Sequence, residues 1–368
     1  MNRTRCMLLP LALTALAESA PRTEEGYRIP TENHAFAFPR DHGSHPDFRI
    51  EWWYITGHLR ADSDQRYGFQ ATFFRYALTT NAPAAGAAFG GDQLFMAHMA
   101  LTDVDGKRFY HEDRLNRDGW DAAARVGDLD LTNGNWSLRR TAGETMALDA
   151  SIRSDVQLRF TLEPARPKVI FGENGLSRKG ADPSACSWYI TFPRLRVAGA
   201  LELNGQTVPV SGEAWMDHEI SSSQLGRDQV GWDWLSARLD DGTELMVYIL
   251  RDAAGQPDPH STLAWIDADG RVAQVGPDRF TWSAEGSWTS PDTGATYPID
   301  ARLRGERPDG TPFDFVVKPL MREQELVGKL GGISYWEGAC DVFEDNQRVG
   351  EAYMELTGYG ESLAESLK

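Results

Sequence analysis

Trp52-Trp53-Tyr54-Ile55-Thr56-Gly57-His58-Leu59 and Trp232-Asp233-Trp234-Leu235-Ser236-Ala237-Arg238-Leu239 read as two versions of one strand. Each is followed by a turn and a second run ending in arginine: Phe73-Phe74-Arg75 and Ile249-Leu250-Arg251. Further on, Leu101-Thr102-Asp103-Val104-Asp105-Gly106-Lys107 matches Trp265-Ile266-Asp267-Ala268-Asp269-Gly270-Arg271. Last, Gly212-Glu213-Ala214-Trp215-Met216 matches Gly350-Glu351-Ala352-Tyr353-Met354. Each match is weak alone, but an ordered set is the mark of an internal duplication. The chain therefore reads as two tandem copies of one β fold, at residues 45–222 and 228–360, the second more compact.

Outward from these blocks, nearly everything after residue 45 carries β signals. Asp105-Gly106, Asn133-Gly134, Asn204-Gly205, Asp241-Gly242, Asp269-Gly270 and Asp309-Gly310 are two-residue turn signatures, because Asn, Asp and Gly tolerate the positive φ of tight hairpins. Gln93 to Thr102 alternates, with Phe95, Ala97, Met99 and Leu101 on one face and Leu94, Met96, His98 and Ala100 on the other. No run keeps a helical stripe beyond about two turns. Short helices are expected only at 321–330 and 361–368, and Thr79 to Gly91, small and apolar, reads as a flap. The fold class predicted is all-β: two tandem antiparallel barrels packed together, with a β-sandwich as the competing architecture. Closing a barrel removes sheet edges, and a barrel of this size can hold one small apolar ligand.

Twelve Trp, eleven Tyr and sixteen Phe in 368 residues require a folded core. A formal net charge of −17 argues against duplex nucleic acid and against anionic membrane surfaces, and leaves an apolar or cationic ligand open. Arg3 and Arg5, the apolar run Met7 to Leu16 and Ala15-Leu16-Ala17 form an export-signal pattern over residues 1–17. The apolar run is too short to span a bilayer, so no transmembrane segment is expected in the processed chain. Residues 18–44 form an N-terminal extension and 361–368 a tail. Cys186 and Cys340 are left to pair or to stay as buried thiols. No recognised metal spacing occurs, and no cofactor is expected.

Phe38-Pro39-Arg40-Asp41-His42-Gly43-Ser44-His45-Pro46 and Glu51-Trp52-Trp53-Tyr54-Ile55-Thr56-Gly57-His58-Leu59 resemble the start of the AttH family. Phe69-Gln70-Ala71-Thr72-Phe73-Phe74-Arg75, Trp215-Met216-Asp217-His218-Glu219 and Gly231-Trp232-Asp233-Trp234 continue the resemblance over about residues 36–251. That family is lipocalin-like, often labelled as secreted hydrolases, and related to carotenoid 1,2-hydratases. The resemblance implies two calycin-type barrels. Fungal Diels–Alderases look similar in architecture, so the fold does not choose a reaction.

Polar residues present in one copy alone are the candidates for chemistry. After the shared Gly-Glu-Ala-aromatic-Met block, the first copy continues Asp217-His218-Glu219 and the second Glu355-Leu356-Thr357. On a strand Asp217 and Glu219 face one way and His218 the other, so a single cavity takes the carboxylates or the imidazole. Their bland reading is a solvated strand end or a salt-bridged junction between barrels. Glu51 has Gly231 as its counterpart, and its bland reading is a partner for Arg75 or Arg49. The loop Asp41 to His45 offers two histidines beside an acid, a weak metal pattern. No G-x-S-x-G elbow is present, which disfavours serine hydrolysis. The catalytic candidates are Asp217, His218, Glu219 and Glu51. Ligand contacts are expected from Trp52, Trp53, Tyr54, His98, Trp232, Asp233, Trp234 and Tyr248.

Three functions follow. One is an exported double-lipocalin protein binding a hydrophobic small molecule such as a lipid or isoprenoid. Another is a hydratase-like lyase, or loosely a hydrolase, that protonates an isoprenoid double bond beside aromatic faces. Carotenoid hydratases look like Asp-His-Asn-Trp where this chain has Asp217-His218-Glu219-Ile220, so one candidate cation stabiliser is missing. The third, surface attachment, rests on the family name. Export predicts a processed N-terminus at or near Glu18; N-terminal sequencing of the correctly localised protein checks it, and recovery of Met1 refutes it.

Overall fold

The computed structural model describes residues 20–80, 91–119, 121–328 and 334–360. The export segment, most of the flap and the tail lie outside these residues. The chain is all-β, with one short 3-10 turn at Arg40–His42 among the described residues. Two antiparallel sheets form, of 13 and 10 strands.

The first sheet runs, in spatial order, Arg108–Arg117, Gln93–Asp103, Arg66–Ala77, Ile50–Ala61, Gln206–Ser223, Cys186–Leu203, Val156–Pro164, Met146–Ile152, Trp136–Arg140, Asp130–Asn133 and Ala122–Ala124. The second runs Val272–Val275, Thr262–Ile266, Glu244–Asp252, Gln229–Leu239, Gln347–Leu356, Tyr335–Glu344, Pro312–Pro319, Thr296–Glu306 and Phe280–Thr289. In both, the opening tryptophan strand pairs with the closing strand of its own copy. The registers agree: Leu59 stands opposite Gly212, and Leu239 opposite Gly350. The duplication seen in the sequence is thus a duplication of topology. All six Asn-Gly and Asp-Gly pairs sit at connections between adjacent paired strands, five of their glycines at positive φ.

Each sheet rolls around its own core. Trp53, Ile55 and Leu59 enter the first with Phe69, Trp136 and Phe160, while Leu235, Trp265, Tyr297 and Trp336 enter the second. Among the described residues closure is incomplete in backbone hydrogen bonds. In the first barrel the two sheet ends are tied by side chains, Asn116 Nδ2 donating to Asn133 Oδ1 at 2.7 Å and Asn133 Nδ2 to the Phe95 carbonyl at 3.3 Å. Glu325–Leu326 is a short strand beside Tyr335 and Trp336, not the helix expected at 321–330. Its residues are recruited by a sheet edge, which outweighs weak local helix preference. Cys186 and Cys340 are free, buried thiols, one in each sheet. No helix among the described residues is long and apolar enough to cross a membrane.

The outer faces of the two sheets pack against each other. Arg66 makes a two-pronged ion pair with Asp341 at 3.0 and 2.7 Å, His58 Nε2 donates to the Ala352 carbonyl at 2.8 Å, and Thr102 Oγ1 donates to Gln324 at 2.7 Å. Gly68 marks a close approach of the two sheets: a Cβ there would meet the Ala339 Cβ at 2.6 Å. Gly68→Val should therefore part the barrels locally and cost about 1–3 kcal/mol, read as a lower urea midpoint at unchanged m-value.

Candidate functional site

Strand alternation divides the sequence candidates between two places. Odd positions of Ile50–Ala61 enter the first barrel; Trp52 and Tyr54 face the second. On Gln206–Ser223, Asp217 and Glu219 share the outer face with them. Between the barrels lies a cavity of about 920 Å³, its open mouth included. Its wall contains Trp52, Tyr54, His98, Asp217, Glu219, Trp232, Trp234 and Tyr248. It lies outside both barrel interiors, which are filled by their own side chains. The sequence expectation is a functional cavity in or beside the first barrel, near the junction, with Glu51, Asp217, His218, Glu219, Trp232, Asp233 and Trp234 converging there; packed aromatic and aliphatic cores leave the space at that junction, and of these residues Asp217, Glu219, Trp232 and Trp234 line it.

Glu51, Trp53 and His218 do not reach this cavity. They face the interior end of the first barrel, where the segment before residue 49 covers them. Glu51 is fully buried and accepts hydrogen bonds from His45 Nδ1 at 2.8 Å, His218 Nε2 at 2.9 Å, Arg75 Nε at 3.0 Å and the His45 backbone N–H at 2.9 Å. Trp53 stacks on His218 at 4.6 Å and donates to the His42 carbonyl at 3.0 Å. Burial opposes the charge on His45, but Glu51 and Asp41 outweigh it and lift its pKa to about 9. Burial likewise opposes ionisation of Glu51, yet His45, His218 and Arg75 hold it well below the usual carboxylate range. Ligand atoms of His45, Glu51 and His218 lie within 4.8 Å of one another and could in principle hold a cation. As arranged, one nitrogen of each ring, His45 Nδ1 and His218 Nε2, is spent on Glu51, and His45 Nε2 lies 3.2 Å from Asp41. Asp233 is a third case: it lies buried in the second barrel and accepts from Arg251 at 2.8 Å, Tyr359 at 2.9 Å and Trp282 at 3.0 Å.

The cavity chemistry centres on Asp217. Its carboxyl accepts from Tyr189 Oη at 2.7 Å, Thr191 Oγ1 at 2.5 Å and Trp215 Nε1 at 2.8 Å, and the Tyr189 oxygen accepts in turn from Trp234 Nε1 at 3.1 Å. Burial outweighs those donors and pushes the Asp217 pKa up to about 7. Glu219 is instead neutralised: Lys179 Nζ lies 3.1 Å away and Ser187 Oγ donates at 2.5 Å. The Lys179 ammonium also sits over the rings of Tyr248 at 4.2 Å and Tyr189 at 4.6 Å. His98 shares a hydrogen bond of 2.7 Å with the Tyr335 hydroxyl, and burial pulls its pKa down to about 4, so it stands neutral.

Equivalent positions of both copies meet across the cavity. Tyr54 stands opposite Asp217 in its ladder, and Trp234 opposite Glu355 in the other. Thr191 pairs with Asp217 as Glu337 pairs with Glu355. Glu337, Glu355, Tyr335, Tyr189 and Lys179 therefore belong to the wall and escaped the sequence reading. The repeat itself carried the signal for Glu355, since it aligns with Asp217. Seeking groups unique to the first copy hid it, because the site uses one position twice with different acids. Nothing local marks Lys179.

A double all-β barrel with an aromatic, acid-bearing cavity between its halves is thus the class of protein. A sequence profile described as AttH-like matches residues 29–359, and the chain belongs to that family. A crystal structure from Nitrosomonas europaea, provisionally assigned as AttH, is 37% identical with a TM-score of 0.82, covering 90% of this chain and 99% of that one. Kievitone hydratase from Nectria haematococca is 14% identical with a TM-score of 0.64, covering 93% and 99%. CghA with Sch210972 is 13% identical with a TM-score of 0.53, covering 92% and 98%. The last two share the fold alone. No curated protein matches the chain.

The two clusters separate by experiment. Glu51→Leu orphans the buried Arg75 and should cost about 3–5 kcal/mol, measured by urea unfolding, while binding of an apolar dye in the cavity stays within a few-fold. The His45 contribution is present below its ordinary pKa and is lost as pH rises through about 9. Amide exchange over residues 41–48 should therefore speed up across that window.

Proposed function

We propose that the chain is an acid–base enzyme of the hydro-lyase kind, acting on an apolar, unsaturated molecule held between the barrels. The observation that carries the reading is Asp217, a buried carboxyl with a pKa raised to about 7 in the wall of an aromatic cavity. A carboxylic acid neutral near physiological pH can deliver a proton to carbon, which an ordinary aspartate cannot. As the proton moves to one alkene carbon, positive charge develops on the other. Trp52, Tyr54 and Trp234 share the cavity wall with Asp217, and their π faces would favour that charge. Water then adds to the cation and loses a proton, and return of a proton to Asp217 closes the cycle. The net change is addition of the elements of water across the double bond. Tyr189, held by Trp234, and Trp215 orient the carboxyl. The fold shared with kievitone hydratase is consistent with such chemistry without choosing it.

A carrier of hydrophobic molecules is the second reading, favoured by the size and aromatic wall of the cavity. Export of the chain is part of both proposals and rests on its first residues.

Incubation with isoprenoid alkenes in oxygen-18 water, followed by mass spectrometry of the alcohols, discriminates them. The enzyme reading expects label in the product and a rate falling as pH rises through about 7, where Asp217 loses its proton. Asp217→Asn should lower turnover by about 10²–10⁴-fold with little change in melting temperature. Unlabelled alkene, bound with affinity that Asp217→Asn changes only a few-fold, identifies a carrier. Large stability loss with binding intact makes Asp217 structural.

A further inference from the structure

The side of the cavity built by the second barrel holds acids that hydration leaves unused. Glu337, on Tyr335–Glu344, is fully buried in the wall; among the described residues neither carboxyl oxygen has a partner in good hydrogen-bonding geometry, and its nearest polar neighbours are the neutral hydroxyls of Tyr54 and Tyr335. It stands opposite Glu355, a second wall residue, in the ladder. The fold does not require an acid here, since the equivalent position in the first copy is Thr191. Among the described lining residues the one lysine, Lys179, is committed to Glu219 at 3.1 Å. The pair thus has carboxyls without a counter-charge, and the indoles of Trp52, Trp232 and Trp234 complete the wall. Buried carboxyls are costly unless protonated or paired, and carboxyls with aromatic faces are the chemistry that receives an ammonium group.

We infer that Glu337 and Glu355 form a cation subsite, and that the molecule filling the cavity carries a protonated or quaternary amine on an apolar body. The subsite goes beyond hydration and stands whether or not Asp217 transfers a proton.

The pH behaviour follows from the groups that face the pair. Burial, and for Glu337 also the charge of Glu355, raises the pKa of both carboxyls. The hydroxyls of Tyr54, Tyr335 and Tyr353 are pushed above their ordinary range and stay neutral, as does His98. Asp217 and the Glu219–Lys179 pair are the remaining charged neighbours. A bound ammonium must therefore displace a proton from the pair, and its affinity should rise with pH.

Quenching of tryptophan fluorescence in the full chain, titrated with benzyltrimethylammonium and with its neutral carbon isostere neopentylbenzene, tests the subsite. The cation should bind at least about tenfold tighter, equivalent to about 1.4 kcal/mol, with proton release seen as a buffer-dependent heat of binding. Glu337→Gln and Glu355→Gln, near-isosteric and free of buried charge, should each abolish the preference while keeping affinity for neopentylbenzene. Asp217→Asn should keep the preference even where oxygen-18 incorporation is lost, which separates this inference from the hydration reading. Equal affinity for the two probes, binding of neither, or a preference that survives in both glutamine variants overturns it. So does a pair of glutamine variants that lose alkene hydration while the wild type shows no preference for the cation; the carboxyls would then be an acid–base dyad.

Discussion

The opening strands of the two copies must bury both of their faces, and that requirement organises the molecule. A strand sends successive side chains to opposite sides. In Ile50–Ala61 one set fills the first barrel, and the other has to find cover on the second barrel. Where the outer residues are polar, partners must come from across the seam, as Arg66 finds Asp341 and His58 finds the Ala352 carbonyl. Where they are large and aromatic, the two curved surfaces cannot lie flush, and the cavity opens between them. Because each barrel offers the same face, the wall is assembled from equivalent positions.

This geometry separates two kinds of buried charge. Around Glu51, anion and cation are matched: Arg75 and His45 surround it at 2.8–3.0 Å, and His218 and the His45 backbone N–H fill the remaining lone pairs. Such a set is expensive to break and does nothing that requires a ligand. The cavity is different. Asp217 is hydrogen-bonded by neutral donors only, and Glu337 has the neutral hydroxyls of Tyr54 and Tyr335 beside it and no counter-charge. Leaving a carboxyl in that condition costs several kcal/mol if it is charged, so its proton is held tightly until something in the cavity changes the balance. The contrast between matched and unmatched acids marks the functional surface.

Gly68 shows how closely the remainder of the seam is fitted. Its missing side chain lets the first sheet approach Ala339 of the second. Contact of that kind holds the two cavity walls at a set distance, which a flexible linkage between barrels would not.

The duplication, the all-β class, the hairpin positions and the two sides of each strand are legible in the amino-acid sequence, because strand periodicity, turn chemistry and repeated motifs are local properties. It also placed Asp217 and Glu219 on a face opposite to His218, from alternation alone. It could not tell which face met the other barrel, so Glu51, Trp53, His218 and Asp233 were grouped with residues they never meet. Glu337 and Lys179 were invisible for the same reason: their significance lies in what stands near them, and those neighbours come from distant strands. The sequence points to the junction of the barrels, but only the tertiary structure decided which side chains line the space there, because that follows from packing two curved sheets on their outer faces, a long-range event that no short stretch of chain encodes.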